Sequence, residues 1–174
     1  MFEHPHADIG FGIFARHAMS VDVFVGEVAF AQHPARLFTP ALGSCVGVTI
    51  WDPALRSGIL GHIMLPAPNE GGLQDDAKYA SFAIPSMVQC MVDHGSLRRR
   101  LQAKIAGGAA MFSRDSTVAS IGDRNVEEVK HQLELMQVVL RAEDTGQDYA
   151  RTVELVLDTG VLLVHCHRYG TREI

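Results

Sequence analysis

The chain has 174 residues, 47% of them apolar and 20% charged, enough for one globular domain whose core needs no disulfide or metal staple. A formal charge of −5 leaves no basic footprint for nucleic acid, and no apolar run nears the ~20 residues of a membrane span. Met1-Phe2-Glu3-His4-Pro5-His6 has no basic region ahead of an apolar stretch, and Cys45, Cys90 and Cys166 are irregularly spaced, so a reducing, cytoplasmic setting is expected.

Residues 1–20 lack periodicity and read as an N-terminal arm, with a single domain expected over 21–174. Val21 to Val28 is rich in β-branched residues and predicts a strand. Cys45–Trp51 and Gly58–Leu65 predict two more, joined through Asp52-Pro53-Ala54-Leu55-Arg56-Ser57, which has Asp and Pro at the first two turn positions. Tyr79, Phe82, Ala83, Met87, Cys90 and Met91 fall at helical spacing and predict a helix over 77–94, kinked or begun at Pro85, with Cys90 on its core stripe. Arg98-Arg99-Arg100 then reads as a solvated cluster.

A short strand within Lys104–Met111 breaks at Gly107-Gly108. No Gly-Lys-Ser/Thr follows, so a tight turn is a better reading there than a phosphate cradle. A second helix is expected over 125–135, capped by Asn125, and strands over 136–142, 151–157 and 161–167. Asp158-Thr159-Gly160 joins the last two as a hairpin. On a strand, His165 and His167 share one face and Cys166 the other, so the trio does not suit one ion, and neither metal nor cofactor is expected. Many strands, short turns and two helices predict an α+β layered sandwich.

The Cys45–His62 spacing bears on chemistry. A turn centred between Pro53 and Ala54 sets Cys45 directly across from His62, Gly47 across from Leu60 and Thr49 across from Gly58. The same register gathers Val46, Val48, Ile50, Ile59, Ile63 and Leu65 on one face. Opposed Cβ atoms lie about 4.5–5.5 Å apart, within thiol-to-imidazole reach, whereas a slip of one residue would part the pair. An imidazole that takes the thiol proton makes sulfur a nucleophile for an amide carbon. Backbone N–H groups around Gly43 and Ser44 are the candidate oxyanion donors. Against this stands the ordinary fate of a cysteine, an inert core residue.

Leu42-Gly43-Ser44-Cys45-Val46 followed by Gly61-His62-Ile63-Met64-Leu65-Pro66 resembles the chemoreceptor glutamine deamidase family, CheD. Lys78-Tyr79-Ala80, Ala103-Lys104-Ile105-Ala106-Gly107-Gly108-Ala109, the Ile-Gly-x-Arg-Asn signature at Ile121 to Asn125, and Glu143-Asp144-Thr145-Gly146 with Arg151 agree in order, over residues 39–151. The resemblance implies hydrolysis of glutamine side-chain amides on methyl-accepting chemotaxis receptors to glutamate and ammonia. In it Cys45 is the nucleophile, His62 the general base and Thr39 the third member that orients His62. It also implies mixed sheets covered by two main helices, a fold similar to deamidating cysteine-hydrolase toxins, and a CheC-type phosphatase as partner. Membrane association would come through the receptor, without direct insertion.

This chain departs from the family at Gly146-Gln147, where a second glycine is usual, and in its longer N-terminal arm. A positive φ at Gln147 would strain the loop. Two other functions compete: a non-catalytic regulatory module that binds receptors or the CheC phosphatase, and an unrelated cysteine hydrolase of small amides. An intact Thr39/Cys45/His62 set favours the deamidase.

Overall fold

The computed structural model describes residues 19–69, 76–110 and 119–174. Their strands form two five-stranded sheets. One contains β1 (Ser20–Asp22), β3 (Arg36–Leu42), β8 (Arg151–Val156), β9 (Val161–Cys166) and β10 (Gly170–Glu173) in that spatial order. The other runs β2 (Val28–Gln32), β5 (Ser57–Ile63), β4 (Val46–Asp52), β6 (Gln102–Gly107), β7 (Val139–Thr145). Both are mixed, β1–β3 and β6–β7 being parallel and the other pairs antiparallel. The predicted α+β layered sandwich is therefore the observed class.

Two helices, α1 (Ala80–Asp93) and α2 (Ile121–Leu135), cover the outer face of the second sheet. Val46, Val48, Ile50, Ile59 and Ile63 meet Ile84, Met87, Val88, Met91, Val129 and Leu133 there. A second core fills the space between the sheets, from Leu37, Leu42, Leu60, Val153, Leu155, Leu162 and Val164. β4 and β5 lie between these layers, which is why their sequences carry so few charges. Cys90 is half-buried against the helix-side core, as its place on the apolar stripe predicts.

Several expectations need correction. The strand expected over 21–28 is two strands and a turn. β1 ends at Asp22, Gly26 takes φ +78, and Glu27 N donates to Phe24 O at 2.9 Å. The turn at Gly26 takes the chain out of the ladder, and it re-enters strand only at Val28. Ser20, the last residue of the expected arm, already pairs with Arg36, while residues 1–18 lie outside the described residues. β3 and β10 had no counterpart in the sequence reading. Around Pro40 the β3–β8 pairing shifts between Thr39 and Leu42, with Ala41 at φ +58, and such a broken stretch shows no clean alternation.

α2 starts four residues before its expected position. Ser120, not Asn125, is the cap: its Oγ accepts from Asp123 N at 3.1 Å while Asp123 Oδ2 accepts from Ser120 N at 3.1 Å. At its other end Gln137 takes φ +58, which delays β7 to Val139. Pro85 lies inside α1 rather than in its first turn. The arginine cluster is not wholly solvated. From a single 3₁₀ turn, Arg100 forks onto the buried Asp52, with Nε 3.0 Å from Oδ1 and Nη2 2.7 Å from Oδ2. Burial alone would raise the Asp52 carboxyl, but the hydrogen bonds from Arg100 and Ala54 hold it below its ordinary range.

Candidate active site

The β4–β5 hairpin sets the site, in a register different from the expected one. Gly47, not Cys45, lies across from His62, with Val46 paired to Ile63 and Asp52 to Ser57. The turn is centred one residue later because Arg56 adopts φ +48 and closes a four-residue loop, while Asp52 Oδ1 accepts from Ala54 N at 2.9 Å. This moves the pairing by two residues. A shift of two preserves which residues share a face, so Cys45 remains on the face of His62, now diagonal to it. Both project toward the space between the sheets, where Cys45 is half-buried and His62 only 2% exposed. Gly47 leaves room opposite the imidazole that Leu42 Cδ1 already crowds, 2.8 Å from where a Cβ would stand.

Thr39 comes from the other sheet. Leu37, Thr39 and Leu42 are the buried residues of β3, and Thr39 Oγ1 lies 2.7 Å from His62 Nδ1 in a fully buried contact. The opposite ring nitrogen, Nε2, is buried and makes no hydrogen bond with the described residues. With the proton on Nδ1 and donated to Thr39, Nε2 carries a lone pair free to accept one. Burial pushes the His62 imidazole below its ordinary value, partly offset by the Val23 backbone, and burial pushes the Cys45 thiol up. Both shifts favour a neutral thiol–imidazole pair over a thiolate–imidazolium pair.

The Gly43–Cys45 loop is held by its carbonyls. Gly43 O accepts from Ala109 N and Cys45 O from Gly108 N, each at 2.8 Å, and Ser44 O accepts from Asn125 Nδ2 at 2.9 Å. In a trans peptide the N–H points opposite to the C=O, so these contacts turn the Ser44 and Cys45 N–H groups the other way. The N–H groups of Gly43 and Ser44 take no partner among the described residues. Gly107, at φ +113, is required where it stands: a Cβ there would collide with the Cys45 carbonyl. The Gly107-Gly108 turn thus serves the Cys45 loop.

Sequence reasoning missed two supports. Asn125 Nδ2 also donates to Met64 O at 2.9 Å, so one side chain ties the Cys45 loop to the end of the His62 strand. Its only sequence signal was the Ile-Gly-x-Arg-Asn block. The second is an ion cluster. Arg151, wholly buried, places Nη2 2.9 Å from Asp144 Oδ1 and donates Nη1 to Gly146 O at 2.9 Å and Tyr149 O at 3.0 Å; Arg172 of β10 pairs with the other Asp144 oxygen. Burial alone would raise Asp144, but Arg172 and Arg151 hold it below the usual carboxylate range. The bend fixed this way carries Gly146 N to Gly107 O at 2.9 Å and Gln147 O to Ala110 N at 2.8 Å. Gln147 does take a positive φ, +63, so the departure from glycine places a side chain in left-handed backbone.

A family model described as CheD chemotactic sensory transduction matches residues 64–166. The chemoreceptor glutamine deamidase CheD of Thermotoga maritima is 45% identical over 141 residues, covering 80% of this chain and 87% of that protein. A probable chemoreceptor glutamine deamidase CheD of Geobacillus kaustophilus is 40% identical over 163 residues, covering 90% and 98%. The probable CheD 3 of Geobacter sulfurreducens is 41% identical over 83% of this chain and 91% of its own length. Among solved structures, the C-terminal domain of CNFy from Yersinia pseudotuberculosis overlays with a TM-score of 0.42 at 10% identity, covering 89% of this chain and 62% of that one, too loose a likeness to bear on function. On the strength of the aligned relatives, the chain belongs to the CheD family.

Proposed function

We propose that this protein is a chemoreceptor glutamine deamidase in which Cys45 attacks the substrate amide, His62 moves the protons and Thr39 orients His62. The observation that carries the reading is the state of His62. It is buried on the face of Cys45, anchored through Nδ1 to Thr39, and left with Nε2 unengaged. With Nδ1 held by Thr39, Nε2 is the ring nitrogen that can take the thiol proton, a role that a module that only bound its partners would not need.

Chemistry follows from the neutral pair. As a glutamine side chain enters, Cys45 Sγ–H passes its proton to His62 Nε2 and sulfur bonds to the amide carbon. The former carbonyl oxygen becomes an oxyanion, for which the Ser44 and Cys45 N–H groups, turned away from the pinned Gly43 and Ser44 carbonyls, are the donors. The imidazolium proton goes to the amide nitrogen, the C–N bond breaks, and ammonia leaves a thioester on Cys45. Neutral His62 then deprotonates a water that attacks the thioester, and its proton returns to sulfur as glutamate is released. No step needs a metal or cofactor.

The substrate is a receptor-borne glutamine, as the relatives' names state for those proteins. The finer assignments are a CheC-type phosphatase as partner, a cytoplasmic location, and residues 21–174 as the deamidase unit. They rest on the family resemblance; among the described residues no helix is long and apolar enough to cross a membrane. The test is incubation with a receptor cytoplasmic fragment and mapping of Gln-to-Glu conversion by mass spectrometry. Conversion by the wild type and none by Cys45→Ala or His62→Ala is expected. Fragment binding with every glutamine intact would instead establish a regulatory module.

A further inference from the structure

Asn125 occupies the seam of the proposed site. The β4–β5 ladder stops at the Val46–Ile63 pair. Beyond it the strands part: Met64 N and Leu65 N turn to Lys78 O, and Gly43–Cys45 turns to Gly108 and Ala109. The nucleophile therefore stands one residue past the last β4–β5 backbone pair, where that ladder no longer sets its separation from His62. Asn125 supplies that link. Fully buried in α2, it gives both hydrogens of one nitrogen to the two diverging strands, to Ser44 O and Met64 O, each at 2.9 Å. Ser44 precedes the thiol, and Met64 lies two residues beyond the imidazole.

Its other amide atom sharpens the point. Asn125 Oδ1 is buried and has no hydrogen-bond partner among the described residues. An apolar side chain would strand no Oδ1 but would leave the Ser44 and Met64 carbonyls without this donor, so the residue is present for its two donors. We infer that Asn125 is a positioning residue for deamidation, setting the approach of Cys45 to His62 across the open end of the hairpin. The inference rests on the Cys45/His62 reading above.

The experiment compares Asn125→Ala, Asn125→Ser, which keeps one donor, and Val129→Ala, a core truncation on the same helix that removes no hydrogen bond to either site strand. Each folded protein is assayed for kcat and KM on the receptor fragment. The rate of Cys45 alkylation by iodoacetamide is followed by peptide mapping beside wild type and His62→Ala. Asn125→Ala is expected to lose roughly 10²-fold in kcat with KM little changed, the scale of a small misplacement of reacting groups. Its Cys45 alkylation should fall to the His62→Ala rate. Asn125→Ser should fall between Asn125→Ala and wild type, and Val129→Ala should match wild type per folded molecule. Should Asn125→Ala not fold, Asn125→Ser decides. Wild-type kcat and alkylation in either folded Asn125 variant, or equal loss in Val129→Ala at equal stability, would overturn the inference. No deamidation by the wild type would sink the functional reading, and the alkylation rates would still decide the role of Asn125.

Discussion

Two buried polar clusters lie near the same end of the sandwich, and they are built on opposite principles. Around Asp144 every charge is answered: Arg151 and Arg172 take its two oxygens, and the remaining Arg151 donors reach the Gly146 and Tyr149 carbonyls. Around Cys45 the groups are neutral and incompletely bonded, with both titrating groups shifted by burial toward their uncharged forms. A closed network fixes a bend. An open one keeps a lone pair in reserve for a proton that arrives with the substrate.

Substitution should separate the two most sharply. Cys45→Ala should abolish deamidation, by at least about 10⁴-fold, while its melting temperature stays near wild type. Asp144→Asn should do the reverse, leaving Arg151 buried against a neutral amide and lowering unfolding free energy by about 3–5 kcal/mol in denaturant titrations. The linkage has a definite sign. Because the folded-state pKa of Asp144 lies below its unfolded value, its contribution is present above the ordinary aspartate range and lost as pH falls through the folded value. Wild-type stability should therefore drop in acid more steeply than that of Asp144→Asn.

Thr39→Val tests whether the open cluster needs its one anchor. Removing Oγ1 leaves His62 Nδ1 without its buried partner, and kcat should fall by roughly 10–100-fold with KM nearly unchanged. A fully active Thr39→Val would mean that packing alone orients the ring. The pH profile tests the neutrality of the pair. With His62 lowered from 6.5, the base stays unprotonated further into acid, so the acid limb of kcat/KM should lie below that value. Raising of the thiol places the steep rise in Cys45 alkylation on the alkaline side of an ordinary cysteine. A low-pH plateau of alkylation would instead reveal a thiolate–imidazolium pair.

The smallest effect belongs to the bend that the closed cluster holds. Gln147 is exposed at φ +63. Gln147→Gly would relieve about 1–2 kcal/mol of left-handed strain and add back about 0.5–1 kcal/mol of chain entropy. A net gain of up to ~1.5 kcal/mol in thermal melts, with deamidation unchanged, is expected. Lost stability would show that the Gln147 side chain contributes more than its backbone strain costs.

The sequence by itself determined that Cys45 and His62 share a face, because alternation along a strand is a local property that survives any even change of register. It also determined the layered class and the helix-side core, since Val46, Val48, Ile50, Ile59 and Ile63 form one stripe in either register. Only the tertiary structure decided which residue stands opposite His62, for that turned on the left-handed Arg56. It alone brought Thr39 to the ring from a second sheet, through a strand whose bulge hides its period. The contacts of Asn125 were illegible for the same reason. A polar side chain donates to whatever carbonyl the fold brings near, and Asn125 meets Ser44 and Met64 from 81 and 61 residues away. Contacts at that separation leave no period in the chain to read.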